Sequence, residues 1–422
     1  MPSLTLATRQ QSFAPAHYDS TPSAINNLTF ALHGTGRNGQ LYQPDQVSDK
    51  QYGTYNYCNM PHVRVKEYKQ PKGAFTLQYV EVIHRHHKRT PYGSNTFPRE
   101  DITWDCSDAL TTHGSAATSA PVTPIAWNGV VDPVNPMTAL SSPGFVGSNC
   151  QFPQITAGGA LDSYQHGKDL AEVYQKKLKF LPKKLDNKFV SFRVTNNVIT
   201  SQVASALVPG LFPDVAKNGA VAANIQSSNY DSLEPTYSCP AADQARSANE
   251  GSNANWTASL SGASDLFARL DAVSGVDPSD GGWHSSIDHY RFRSSAQATT
   301  YATLRHAAWV MELRSHLDKK MSGDQMLYRH NVAHDGSMSA LLGLLQIDEM
   351  VWPGMGAEIV FELYQQNVAK GKKGDWFLRV LWGGQPMKTA TPLGTLAMVP
   401  ISKFYAYLDQ QLPKDLRATC FA

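Results

Sequence analysis

The sequence predicts an α/β fold: a mainly parallel sheet flanked by helices, with an α-rich cap. Three observations carry this. Residues 75–83 form a β-branched and aromatic run that feeds into a basic cluster. Amphipathic stretches of helical period recur along the chain. The two kinds of segment alternate in chain order, the pattern of a sheet covered by helices.

Each element has its own warrant. Phe75-Thr76-Leu77-Gln78-Tyr79-Val80-Glu81-Val82-Ile83 has strand composition and runs into His84-Arg85-His86. From Pro91 to about Asn149 the many Pro, Ser, Thr and Gly residues predict loops. Asp162 to Leu181 places Leu170, Val173, Tyr174, Leu178 and Leu181 among charged residues, as a helix would. Lys188 to Val194 alternates like a half-buried strand, and a helix is expected from about Ile199 to Val208, stopping before Pro209-Gly210. Tyr301 to Met321 reads as a long helix. Asp335-Gly336 opens another over Ser337 to Met350, and Trp376 to Trp382 is a strand closed by Gly383-Gly384. There is no internal repeat. The expected organisation is an extended N-terminal arm (1–70), an α/β core (71–200 and 301–422) and an α-rich cap (201–300).

Composition narrows the function classes. With 41% apolar and 17% charged residues, the chain can build a sizeable core, which argues against general disorder. A net charge of +2 argues against an extended nucleic-acid or anionic-membrane surface, so neither partner is expected. No apolar stretch is long enough to span a bilayer, and Met1 to Ala16 lacks the apolar centre of a signal peptide. The sequons Asn27-Leu28-Thr29 and Asn255-Trp256-Thr257 are compatible with secretion. The five cysteines, Cys58, Cys106, Cys150, Cys239 and Cys420, are too widely spaced for a zinc finger. Two long-range disulfides plus one thiol is the preferred reading, against five reduced thiols.

The chemistry gathers in His84-Arg85-His86-His87-Lys88-Arg89-Thr90-Pro91. A strand ending there puts these residues at the carboxyl edge of the sheet, where α/β proteins bind ligands. Guanidinium groups make forked hydrogen bonds to phosphoryl oxygens, and an imidazole between them can attack phosphorus.

Arg85-His86-x-x-Arg89-x-Pro91 resembles the Arg-His-Gly-x-Arg-x-Pro signature of the histidine acid phosphatases, which include phytases. His334-Asp335 resembles that family's second signature. Ile155-Thr156-Ala157-Gly158-Gly159 with Gly167 is similar to its Leu-Thr-x-x-Gly…Leu-Gly helix entry. The three matches occur in the family's order and span roughly residues 75 to 400. Arg-His-His-Lys-Arg-Thr-Pro with His-Asn-Val-Ala-His-Asp-Gly also resembles a fungal branch. The resemblance implies a histidine-phosphatase-like α/β/α core and a secreted, metal- and cofactor-independent phosphomonoesterase acting on a small molecule. It makes His86 the nucleophile and Asp335 the general acid. Arg85, Arg89 and His334 would hold the phosphoryl oxygens.

The sequence departs from the pattern twice. The glycine after the nucleophile is His87 here, which would reshape the loop or project into the pocket. In the family's Arg-x-Thr-x-x-x-Arg-x-x-x-Ser segment, which begins here at Arg193, the second arginine is Ile199 and the serine is Val203. Losing one transition-state donor typically costs about 10²–10³-fold, whereas monoester hydrolysis can be accelerated by up to ~10²¹. Lys88 or His87 could supply the missing charge. An alternative function is therefore a non-hydrolytic step (a cyclisation, dehydration or isomerisation) on a small natural product, or ligand binding alone.

The bland readings are specific. His84 and His86 would share a strand face and could bind metal, or with His87 form a solvated loop. By spacing alone these readings outweigh the phosphate pocket, and Arg89-x-Pro91 with His334-Asp335 reverses the balance. Asp335 suits a helix N-cap. His33-Gly34-Thr35-Gly36-Arg37-Asn38-Gly39 lacks a nucleotide fold's setting. Trp283-His284 and Asp288-His289 could line a cap pocket, with an ordinary surface or core role the preferred reading. Arg193 reads as structural. Glu358 and Glu362, four apart, are expected to face solvent or a salt bridge.

Overall fold

The computed structural model describes residues 57–93, 97–99, 103–109, 111–113, 123, 125–130, 132, 134–137, 146–217, 221–281, 284, 296–348, 351–369, 372 and 374–422. The expected arm up to residue 56, with its glycine-rich run and first sequon, lies outside them. So do Trp283, Asp288, His289 and the side chain of Asn255.

The strands, in chain order, are β1 (Phe75–Arg85), β2 (Thr112–His113), β3 (Ile125–Ala126), β4 (Val190–Val194), β5 (Ala223–Asn224), β6 (Tyr328–Ala333), β7 (Glu358–Gln366), β8 (Trp376–Trp382), β9 (Gln385–Pro386) and β10 (Val399–Pro400). The helices are α1 (Ala157–Ala171), α2 (Val198–Leu211), α3 (Pro240–Ser247), α4 (Ala254–Gly262), α5 (Ser264–Ser274), α6 (Ala296–Met321), α7 (Asp335–Leu344), α8 (Ile401–Gln411) and α9 (Leu416–Cys420). The central sheet has the order β10-β8-β7-β1-β6-β4-β5. Strands β1, β6, β4 and β5 are mutually parallel, while β7 runs against both β1 and β8. The predicted α/β class with a mainly parallel sheet is the class observed.

Strand β1 is central, so both of its faces are covered. Tyr79 and Ile83 point into a core with Trp309 and Leu313 of α6, Leu341 of α7 and Phe404 of α8. Val80 and Val82 point the other way, into a core with Leu170 of α1 and Leu207 of α2. Period-two alternation thus feeds two helical layers. Strand β6 inserts between β1 and β4, with Arg85 level with Ala333. The chain leaves β1 towards α1 on one face and leaves β6 towards α7 on the other. The adjacent carboxyl ends of β1 and β6 are therefore the switch point, where such sheets open a crevice.

Several boundaries differ from expectation. Strand β1 continues through His84-Arg85, because Arg85 still pairs with β6. The Asp162–Leu181 helix begins five residues earlier, capped by the Thr156 side chain on the Gly159 amide, and turns into a π-type turn at Glu172–Lys177. Helix α2 runs through Pro209 to Leu211, and α6 starts at Ala296. Helix α7 ends at Leu344 instead of Met350, and its first helical residue is Asp335, with His334 as the cap residue. Glu358 and Glu362 lie on strand β7, and both are fully buried. The helical i, i+4 reading fails because the spacing is also an even strand spacing, which puts both on one inward face. Glu358 meets His166 at 2.8 Å and Glu362 meets Arg379 at 3.1 Å.

Disulfides join Cys106 to Cys150 and Cys239 to Cys420, and Cys58 keeps its thiol. The second ties the start of α3 to the chain's end beside α6, with Ala242, Leu304 and Tyr237 packed around it. Among the described residues no helix is long and apolar enough to cross a membrane.

Candidate active site

The sheet register builds the site. With Arg85 level with Ala333, the next residues on the two strands, His86 and His334, become neighbours. The His86 amide donates to the Ala333 carbonyl at 3.0 Å, and the two rings stand edge to face with centroids 5.5 Å apart. One residue further, Asp335 opens α7 and its carboxylate meets the Arg85 guanidinium at 2.7 Å. Two segments some 250 positions apart thus meet because their strands are paired.

The loop after β1 is held by the second matched segment. The Lys88 carbonyl accepts from the Thr156 amide at 3.1 Å, Arg89 bridges to Ile155, and the Thr90 amide donates to the Gln154 carbonyl at 2.8 Å. Gly159 is required here, since a Cβ would stand 2.1 Å from the Lys88 carbonyl oxygen. The Ile155-Thr156-Ala157-Gly158-Gly159 motif therefore clamps the loop after β1 onto the first turn of α1.

His86 is fully buried. Its Nδ1 lies 2.9 Å from the His87 carbonyl oxygen, which can only accept. In the neutral ring Nδ1 therefore carries the hydrogen and Nε2 the lone pair. Burial, then the charges of Arg85 and His334, hold the imidazole well below its ordinary protonation range, which keeps that lone pair available.

Arg85 is 1% exposed and the Asp335 side chain 29%, so the carboxylate is the solvent-facing end of the pair. Arg85 also donates to the Pro353 carbonyl at 2.7 Å and stacks over Tyr57 at 5.3 Å. Arg89 donates to the Thr90 carbonyl at 2.8 Å and lies over the Tyr92 ring at 4.3 Å. The Tyr92 hydroxyl accepts from Asn197 at 3.1 Å, linking Arg89 to the start of α2. His334 places Nε2 2.8 Å from the Thr195 hydroxyl and 3.4 Å from the Glu234 carboxylate. Burial raises the Glu234 carboxyl, but the bond and charge of His334 pull harder and leave it lowered overall.

Not every expected residue joins this group. Lys88 turns to Asp162, 2.9 Å away on α1. His87 turns into the interior: its Nδ1 meets the Ser163 hydroxyl at 2.9 Å and its ring packs 5.5 Å from His84 and 5.4 Å from His166. No left-handed backbone is needed at His87. The room that glycine would give at that position is given opposite it by Gly356, where a Cβ would stand 2.9 Å from the His87 ring. His84 and His86 also part company, because His84 packs with His166 and His330. The alternative reading, a metal pairing of His84 with His86 along one strand face, does not form.

Ile199 is fully buried with Ile155, Val194, Val203 and Val332. Its side chain belongs to the core. Arg193 is structural, bonded to Glu312 at 2.6 Å, Asp231 at 2.8 Å, Gln226 at 2.6 Å and Ser232 at 3.1 Å. His284 pairs with Asp271 at 3.0 Å. Sequence reasoning missed Tyr57, Tyr92, Thr195 and Glu234. Tyr92 carried a local signal, standing directly after Pro91, and Thr195 is the threonine of the Arg-x-Thr segment that begins at Arg193; Tyr57 and Glu234 arrive through tertiary contacts.

No protein-family model matches the chain, and no curated protein does. Among solved structures it is similar to a phytase of Klebsiella sp. ASR1, at 16% identity and a TM-score of 0.47, over 81% of this chain and 97% of that one. It is similar to Hafnia alvei phytase in complex with myo-inositol hexakis sulphate, at 15% identity and 0.47, over 83% and 99%. It is also similar to the multiple inositol polyphosphate phosphatase of Bifidobacterium longum in complex with phosphate, at 11% identity and 0.47, over 85% and 99%.

Proposed function

We propose that this protein hydrolyses a small phosphomonoester through a phosphohistidine at His86. One observation carries the reading: the ring of His86 is held neutral, with Nδ1 donating to a backbone carbonyl and Nε2 bearing the lone pair, beside a buried arginine paired to a more exposed carboxylic acid. Nε2 attacks phosphorus and the ester P–O bond breaks. The leaving oxygen takes its proton from Asp335. Water then attacks the phosphohistidine, gives its proton to Asp335 and releases inorganic phosphate, which regenerates the neutral ring. Arg85, Arg89 and His334 bear the charge on the transferring group. An incoming oxyanion would share Arg85 with Asp335. Lys88 and His87 have no part in this reading, since both are directed elsewhere. Two disulfides favour the secretory pathway or an extracellular setting.

The test is hydrolysis of a generic aryl phosphate from about pH 3 to 8, which brackets carboxylate and imidazole titration. Turnover is expected in the wild type and none in His86→Ala, with an acid-labile, alkali-stable phosphoenzyme trapped only in the wild type. No turnover by the wild type, or activity that survives in His86→Ala, defeats the proposal. The first of these results would turn attention to a non-hydrolytic reaction or to ligand binding alone.

A further inference from the structure

Behind the reaction loop lies a second group of histidines that the proposed reaction does not use. His84 on β1, His87 on the loop and His166 on α1 are 0%, 1% and 0% exposed. One ring nitrogen from each lies within 4.8 Å of one from each of the others. The hydrogen bonds fix where their lone pairs are. His84 Nδ1 lies 2.8 Å from the Arg85 carbonyl, which can only accept, so Nδ1 carries the hydrogen. The Ser163 hydroxyl donates to the Gly159 carbonyl at 2.7 Å, so towards His87 its oxygen must accept, and His87 too carries its hydrogen on Nδ1. His166 Nε2 meets the Glu358 carboxylate at 2.8 Å, while Glu358 also accepts from the Val63 amide at 2.9 Å. The remaining nitrogens, Nε2 of His84, Nε2 of His87 and Nδ1 of His166, are buried and have no hydrogen-bond partner.

We propose that His84, His87 and His166 form a binding site for one divalent zinc-class cation, separate from the reaction centre. Three clustered imidazoles, each with one buried nitrogen left without a hydrogen-bond partner, call for an electron-pair acceptor. A water molecule has two hydrogens and can satisfy two of them, whereas a cation satisfies all three. An all-imidazole set suits zinc and its neighbours, and excludes calcium and magnesium, which take oxygen ligands. A zinc–nitrogen bond of about 2.0–2.1 Å asks the three nitrogens to close by roughly an ångström at most, within the broad ring torsion of histidine.

The surroundings match what metal-bound histidines need. Each ring is oriented through its other nitrogen by a carbonyl, a hydroxyl or a carboxylate, the usual outer partners of such ligands. Burial pushes the Glu358 carboxyl upward, towards its neutral form, and a cation bound beside His166 would draw out its negative charge. Gly356 lacks the Cβ that would stand 2.9 Å from His87 Nε2. The ion would join β1, the reaction loop and α1 at one point, which gives His87 a role that a glycine at that position could not fill.

The test uses untagged full-length protein, dialysed against a chelator and titrated with Co²⁺, then Zn²⁺. One ion per chain is expected, with the visible absorption of nitrogen-ligated tetrahedral cobalt, displaced by zinc. His87→Gln and His166→Gln should each weaken zinc binding by at least ~100-fold, and Glu358→Gln, acting through His166, by about 10–100-fold. His86→Ala should leave binding intact, which separates this site from the reaction centre. Should the histidine variants fail to fold, X-ray absorption on the wild type decides by counting imidazole ligands. No stoichiometric ion at micromolar Zn²⁺, fewer than three imidazoles on it, or a site lost in His86→Ala would overturn the proposal. None of these readouts depends on phosphatase activity.

Discussion

Single residues at this site owe their chemistry to what holds them. His86 is available for attack because a backbone carbonyl occupies one nitrogen while burial and the Arg85 charge discourage protonation of the other. The same reasoning reassigns Ile199. By its place in the chain it stands where the resemblance puts a phosphate-binding arginine, yet it is packed entirely among aliphatic side chains. Truncation should therefore behave as a core mutation. Ile199→Ala is expected to cost about 2–5 kcal/mol of stability, read by denaturant unfolding, with kcat on an aryl phosphate changed little below the melting range. A large loss of kcat with unchanged stability would instead place residue 199 at the substrate. Ile199→Arg buries a charge in the same apolar cluster and should destabilise more strongly.

At the scale of elements, the contact that positions the reaction loop is the one between α1 and α2. Where Gly167 of one meets Gly210 of the other, the two helix backbones approach closely, flanked by Leu170 and Leu207. A Cβ on Gly167 would stand 2.1 Å from the Leu207 carbonyl oxygen, and one on Gly210 would stand 2.2 Å from the Tyr164 carbonyl oxygen. Both neighbours are backbone, so neither can swing aside. Gly167→Ala and Gly210→Ala should each force the helices apart at a cost of about 1–3 kcal/mol, measured as a fall in urea midpoint at constant m-value. Because α1 begins with the Thr156 cap that grips Lys88 and ends beyond His166, the displacement should also reduce aryl phosphate turnover. Full activity in a destabilised Gly210→Ala would mean that the loop is held without α1.

At the scale of the whole molecule, the interior is unusually rich in neutral histidine. Burial lowers His84 and His306 to about 3, and it holds His86, His87, His166 and His330 well below the ordinary value. In the unfolded chain each would titrate near 6.5. Between about 3 and 6.5 the unfolded state binds more protons, so stability rises with pH there and is lost on acidification. Each such histidine contributes about 1.36 kcal/mol per pH unit. His306 is a clean probe, since both of its ring nitrogens are buried without partners against Trp309. His306→Phe should flatten the slope of unfolding free energy against pH by about one proton, which amounts to about 2 kcal/mol at pH 5 relative to wild type. An unchanged slope would mean that His306 is already protonated in the fold.

What the sequence determined by itself was local. Periodicity and β-branched composition placed β1, β4 and β8 to within about two residues, and located the long helices with ends displaced by about five to ten, since strand and helix repeats are written in neighbouring side chains while helix ends are set by caps and packing. The order of Arg85-His86-x-x-Arg89, Thr156…Gly159 and His334-Asp335 was also legible, because each is a short contiguous motif. Tertiary structure decided the rest. The salt bridges expected of Glu358 and Glu362 are present, but the helix is not: a spacing of four fits a helix face and also a strand face, and only burial in β7 distinguishes them. His87 and Lys88 lie in the same run as His86, yet successive residues of an extended chain point in different directions, and contacts with Ser163 and Asp162 on α1 drew both away from the reaction centre. The histidine triad was beyond reach for the same reason. His84 and His87 are three residues apart, but His166 joins them only because α1 packs on the face of the sheet to which His84 points, and no local pattern encodes which face a crossover helix will cover.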